Sequence, residues 1–376
     1  MRRRTEMRED LLQAVEASQV ARIDDLLKEE ITLGSDIWGI HQSLFPVVQR
    51  VLNPPFINPH LPKMYRIYRE LRPYLGEDDI RAFVRLEVIE YARRSKLGKL
   101  PKAKPLGSPV SFRDIESAIR EQDWEKTAVL MASFYERAGG MELARRLLIL
   151  GSGYLSPSLG HSVSCTAFIL LEMLDRKDQD PWPALATLAD YFCKGEFHTS
   201  PVLRKTPAFP SQEDFEQHLL RATSGRGIVN LHHTITIYAM ERVRPLFSAE
   251  EYNHMMGAWV AFLEEKKAKR VVLGNPKTTL RGDYTYFYER FSKLDVTAVV
   301  AWIRDAILSP QGQMETGRFL IKGLCDKYSG DYNPHYLTGL GSALWVMSCY
   351  WKEASIVVNA FYQYVDFLLE NLKSGN

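Results

Sequence analysis

An internal repeat constrains this chain more than any other feature. Arg72 and Pro73 recur as Arg244 and Pro245, 172 positions on, and the acidic pair Asp78 and Asp79 falls on Glu250 and Glu251. The same offset carries Gly140 to Gly312, Arg146 to Arg318, Leu148 to Leu320, Ile149 to Ile321 and Gly151 to Gly323. It also sets the linker beginning at Leu97 beside the linker beginning at Val271. One constant offset over about half the chain reads as a duplication, and each repeat must then supply similar elements. The expected halves are 1–198 and 199–376. They should pack as one compact, pseudo-two-fold body, because helices with apolar faces need a partner layer.

The elements are helices. From Asp10 to Glu30 the apolar residues Leu11, Leu12, Val15, Val20, Ile23, Leu26 and Leu27 recur at spacings of three and four, the period of one helix face. Asp79–Arg94, Phe112–Ala138, Glu142–Leu150, Val163–Leu174 and Ala354–Leu372 read the same way, and strand-like alternation is nearly absent. The fold class is therefore all-α. Breaks rich in Pro, Gly and Lys are expected at Leu97–Val110, Thr199–Ser211 and Val271–Asp283.

Composition excludes several function classes. With 45% hydrophobic and 25% charged residues in 376, a sizeable core is available. A net charge of +2 does not advertise nucleic-acid binding. No run of 18 apolar residues suggests a membrane span, and Met1–Asp10 leads into no secretory pattern. Cys165, Cys193, Cys325 and Cys349 are scattered, so reduced thiols and a cytoplasmic location are expected. No GxGxxG after a strand, P-loop or GxSxG elbow occurs.

The histidines follow the repeat. His60 falls on His232, and His161 falls two residues before His335. Their contexts are Asn58-Pro59-His60, Gly160-His161, His232-His233 and Pro334-His335, each after a loop and at the opening of an apolar helical pattern. Neutral imidazole is a common ligand for iron, zinc, copper and nickel. Four histidines from four helix starts suit one metal ion if those helices share an end of the bundle. The duplication favours His232 as the fourth ligand. The helix face shared with Glu241, eight residues on, favours His233. Glu241 is the candidate catalytic carboxylate. Glu172 and Cys165 lie near the His161 face, and Tyr65, Tyr68, Phe168, Tyr238, Tyr336 and Trp345 crowd the same segments, as core or as walls of a cavity for a flat substrate.

At Gly160-His161, His232-His233 and Asn333-Pro334-His335 the chain resembles the questin oxidase-like family. That resemblance implies a helical protein that oxygenates or ring-opens aromatic polyketides, and it implies no particular cofactor. Iron is inferred from the histidines alone. Two function classes follow. One is a non-haem iron(II) oxygenase using O₂ on a small aromatic or enolic substrate, with reducing equivalents drawn where needed from a separate electron-transfer protein. The other is a non-enzymatic helical interaction module or a partner of a separate electron-transfer protein.

Overall fold

A computed structural model describes residues 2–34, 36–98, 106–176, 179–199, 211–266, 283–328 and 333–374. The fold is all-α, and no strand occurs among the described residues. The N-terminal half supplies α1 (Arg2–Glu16), α2 (Val20–Thr32), α3 (Ile37–Ser43), α4 (Phe45–Val48), α5 (His60–Leu71), α6 (Glu77–Arg93), α7 (Phe112–Arg120), α8 (Trp124–Ala138), α9 (Gly140–Ser152), α10 (His161–Asp175) and α11 (Trp182–Lys194). The C-terminal half supplies α12 (Gln212–Thr223), α13 (Ile228–Val243), α14 (Ala249–Glu265), α15 (Tyr284–Ser292), α16 (Val296–Ala306), α17 (Pro310–Lys327), α18 (His335–Tyr350) and α19 (Ala354–Ser374).

The order recurs at the offset seen in the sequence. Both ends of α6 and α7 lie 172 positions before the ends of α14 and α15, and the 3-10 turn Arg72–Tyr74 has its counterpart at Arg244–Leu246. The packing partners recur as well. α8 packs on α11 and α16 on α19, while α9 packs on α10 and α17 on α18.

The chain divides into two compact units. Unit 1 comprises Met1–Arg66, Glu87–Pro207 and Ala239–Ala258, and unit 2 comprises Ile67–Leu86, Ala208–Tyr238 and Trp259–Asn376. Each unit is drawn mainly from one half and takes in a short segment of the other. The segment boundaries obey the offset too: Arg66 corresponds to Tyr238, and Leu86 to Ala258.

Two helices expected to be continuous are broken. The segment 10–30 splits at Ser18 and the segment 112–138 at Gln122, residues held at φ 57° and 58°. A residue in the left-handed region cannot continue an α-helix. Apolar periodicity misses such breaks because the hydrophobic stripe resumes on the far side. The Gln122 turn recurs at Leu294, also at φ 58°. In both turns the next residue, Asp123 or Asp295, caps the following helix by accepting from the backbone N–H three residues on. Of the expected linkers, residues 99–105, 200–210 and 271–282 lie outside the described residues.

α10 and α18 are buried almost all round, as expected for helices without a wide polar face. Two hydroxyls of α18 are accommodated locally. Thr338 donates to the Pro334 carbonyl and Ser342 to that of Gly339, so these polar groups enter the core with their hydrogen bonds made. The aromatic residues Tyr65, Tyr68, Phe168, Tyr238 and Tyr336 are core residues. No helix among the described residues is long and apolar enough to cross a membrane.

Candidate metal centre

In unit 1, α5 and α10 begin with His60 and His161. α5 starts there because Pro59 disfavours helical geometry in the residue before it. α10 starts after Gly160, held at φ 76°, a conformation suited to glycine. The two imidazoles are buried and meet Nε2 to Nε2 at 2.8 Å, their rings nearly perpendicular at 87°. The other nitrogen of His161, Nδ1, lies 2.7 Å from the Ser158 carbonyl oxygen. Nδ1 of His60 lies 3.3 Å from the side-chain amide nitrogen of the buried Asn53.

Unit 2 repeats the pairing. His232 and His335 are buried and meet Nε2 to Nε2 at 3.0 Å. Nδ1 of His232 donates to the Ile228 carbonyl at 2.7 Å, and Nδ1 of His335 donates to Asn333 Oδ1 at 2.8 Å. Asn333 Oδ1 also takes the backbone N–H of His335 at 3.0 Å, which fixes the orientation of that amide. His335 opens α18, but His232 does not open its helix. The expectation of four helix starts is corrected at this point: α13 begins at Ile228, one turn earlier. Leu231 stands where Pro59 stands in the first half, so nothing interrupts the helix before His232.

These anchors decide where the ring hydrogens sit. A neutral imidazole carries hydrogen on one nitrogen and a lone pair on the other. An Nδ1 facing an oxygen acceptor must be the N–H, so Nε2 of His161, His232 and His335 presents its lone pair. For His232 and His335 the lone pairs face each other at 3.0 Å. Two neutral rings cannot hydrogen-bond in that arrangement, and a cation or an added proton resolves it. Metal-bound histidines characteristically donate their second N–H to a carbonyl or amide oxygen in this way. The spacing is also informative. Two nitrogens at right angles on one ion, each at ~2.1 Å, are about 3.0 Å apart, against about 3.4 Å at a tetrahedral angle. The observed 2.8 and 3.0 Å match the right-angle value.

The other candidates fall elsewhere. His233 is not paired with His335. Its ring lies edge-on to Phe262 at 4.6 Å, its Nε2 has no hydrogen-bond partner among the described residues, and its carbonyl accepts from Trp259. Burial, and secondarily the Arg221 charge, pushes its imidazole down to about 4. Between the two alternatives at this position, the ring that reaches His335 is therefore His232. Glu241 accepts from the Tyr252 hydroxyl and pairs with Arg244 at 3.7 Å. It lies eight residues beyond His233 on α13, about 12 Å of helix rise, so the shared face does not bring it to that ring. Glu172 is fully buried and is held by Arg66 at 3.2 Å and Arg176 at 2.5 Å, which offset its charge. Cys165 is a buried free thiol whose pKa burial pushes up to about 11.

Asn53, Ser158 and Lys63 are unit 1 residues that the sequence reading missed. Asn58-Pro59-His60 resembles Asn333-Pro334-His335, yet the side chain on His60 Nδ1 is Asn53, while the Asn58 carbonyl takes the His60 backbone N–H at 2.8 Å. A motif match thus places the histidine but not its anchor.

Compared with protein-family models, curated proteins and solved structures, the chain matches none.

Proposed function

We propose that the chain is a metal-dependent oxygenase that holds non-haem iron(II) on its buried histidines. Its substrate in this reading is a small aromatic or enolic molecule, with O₂ as co-substrate and a separate electron-transfer protein supplying electrons where the chemistry needs them. The facing Nε2 lone pairs of His232 and His335, with both Nδ1 atoms committed to oxygen acceptors, carry the proposal. His161 is anchored in the same way. The right-angle spacing favours an ion that accepts octahedral geometry over tetrahedral zinc. His60 and His161 form the corresponding pair within unit 1, their Nε2 atoms 2.8 Å apart. Bound iron would activate O₂ and polarise a substrate oxygen. The chain's part is to fix the tautomers, aim the nitrogens and exclude water.

A second reading has the same geometry in its favour. Distances of 2.8 and 3.0 Å also suit a proton shared between two imidazoles, in which case the pairs are structural and the chain is a helical interaction module. Elemental analysis of protein purified anaerobically separates the two. About one iron per chain supports the oxygenase, and two would assign an ion to each pair. Protein reconstituted with iron(II) that retains none returns the histidines to the shared-proton reading.

A further inference from the structure

One turn beyond His60 on α5 lies Lys63, and one turn beyond His161 on α10 lies Ser164. Positions three apart share a helix face, with Cβ atoms about 5–6 Å apart, so the lysine and serine form a second rung behind the histidine rung. Lys63 Nζ meets Ser164 Oγ at 3.5 Å. Both side chains are fully buried, Lys63 at 0% exposure. A lysine amine has three donor positions and normally reaches water. Among the described residues its one hydrogen-bond partner is a hydroxyl at the limit of bonding distance, and no carboxylate pairs with the amine. Burial lowers its proton affinity, and the nearby Cys165 thiol opposes this only in part. Tyr191, also close to that thiol, buries a hydroxyl that has no hydrogen-bond partner among the described residues. Unit 1 thus holds a buried amine, two hydroxyls and a thiol, with no anion among them.

The repeat shows that the fold does not require this amine. At the offset of 172 the position of Lys63 is taken by Ile235, equally buried at 0% exposure, and Thr338 stands one turn beyond His335. One half places hydrocarbon at the lysine's position, while the other keeps an amine whose desolvation costs stability. Such a cost is characteristic of a group retained for chemistry.

We infer that Lys63 is the proton acceptor for the acidic hydroxyl of a phenolic or enolic ligand entering the His60–His161 site. The ligand O–H bond breaks and an N–H bond forms on Lys63 Nζ, converting amine to ammonium. The electron pair stays on the ligand oxygen, which becomes anionic, and nothing is oxidised or reduced. Ser164 Oγ receives one N–H of the ammonium. The ammonium is left beside the anionic oxygen, which offsets its charge inside the core. The inference rests on the metal-site reading above.

The test uses the full-length, iron-loaded chain, Lys63→Ile, which borrows the residue of the other half, and Lys63→Met. The probe is 4-nitrocatechol, whose visible absorption reports its ionisation state. Iron content is measured on the same samples. All three proteins should hold the same iron. The wild type should bind the probe fully ionised at neutral pH, and both variants should bind it at least ten-fold more weakly or with one hydroxyl still protonated. Equal affinity and the same ionisation state in all three, with iron retained, overturn the inference and leave the metal site standing. A wild type that binds no iron overturns the metal site, and the inference with it.

Discussion

His161 and His335 each commit Nδ1 to an oxygen and turn Nε2 toward a partner ring. Replacing either with Ala should abolish most metal binding, because a ligand acts on affinity directly. A histidine that merely finishes a turn behaves like a lost cap, at about 0.5–2 kcal/mol. Metal per chain and the thermal midpoint of metal-free protein should therefore be measured for both variants. His198→Ala is the control, since among the described residues the His198 ring reaches the Gly195 carbonyl at 3.0 Å and no other histidine. Lost metal in the control as well, or unchanged metal in both site variants, would refute the assignment. Lys63→Ile should behave in the opposite sense and raise the midpoint, because it removes a desolvated amine. Since burial lowers the folded-state pKa of Lys63 below the ordinary lysine value of about 10.4, folding opposes its protonation. That penalty is fully present at low pH and is relieved as pH rises toward the unfolded value. The advantage of Lys63→Ile over the wild type should shrink between pH 7 and pH 10. An advantage that is absent or grows with pH would contradict a buried, disfavoured ammonium.

Matched glycines at the level of helix packing show how one repeat can carry two meanings. Gly151 of α9 and Gly323 of α17 are equivalent by the offset of 172. A Cβ on Gly151 would stand 2.6 Å from the Ser162 carbonyl oxygen on α10, a backbone atom that cannot step aside. A Cβ on Gly323 would meet the ring of Phe291 at 3.1–3.3 Å, a side chain able to shift by a few tenths of an ångström. Gly151→Ala should cost about 1–3 kcal/mol, the usual range for overpacking. Gly323→Ala should be near neutral, because the gain in helix propensity of about 1 kcal/mol offsets the crowding. Urea unfolding of the two variants compares them directly, and equal losses would mean that the α9–α10 approach is no closer than its counterpart. Gly151→Ala should also reduce metal affinity, since it pushes on α10 one residue from His161.

For the whole molecule, metal binding and folding are linked. Histidine ligands must be neutral to bind, so bound iron measured from pH 8 down to pH 5 should fall. Iron retained in full at pH 5 would argue against histidine ligation. Chelation at neutral pH should lower the thermal midpoint, because an ion that binds the folded state stabilises it. A midpoint indifferent to chelator, in a preparation shown to contain iron, would place the metal outside the folded core.

The all-α class and the recurrence of elements were legible in the sequence because both are written in spacing. Apolar residues three and four apart demand helices, and Arg72-Pro73 with Arg244-Pro245 demand that the same turn occur twice. The pairing of histidines was legible only in outline. The repeat named His60, His161 and His335 and left His232 and His233 level. Only the fold separated them, since a one-residue step turns a side chain about 100° around the helix axis, and the direction of a neighbour is not a local property. For the same reason Glu241, on the His233 face, was a false lead: sharing a face says nothing about distance along it. The breaks at Ser18 and Gln122 were hidden by a stripe that continues across them, although Asp123 and Asp295 carried the capping signal. Asn53 and Lys63 needed the tertiary structure outright. An asparagine seven residues before a histidine and a lysine amid apolar residues are ordinary in sequence, and they acquire meaning only when packing brings one to an imidazole and removes water from the other.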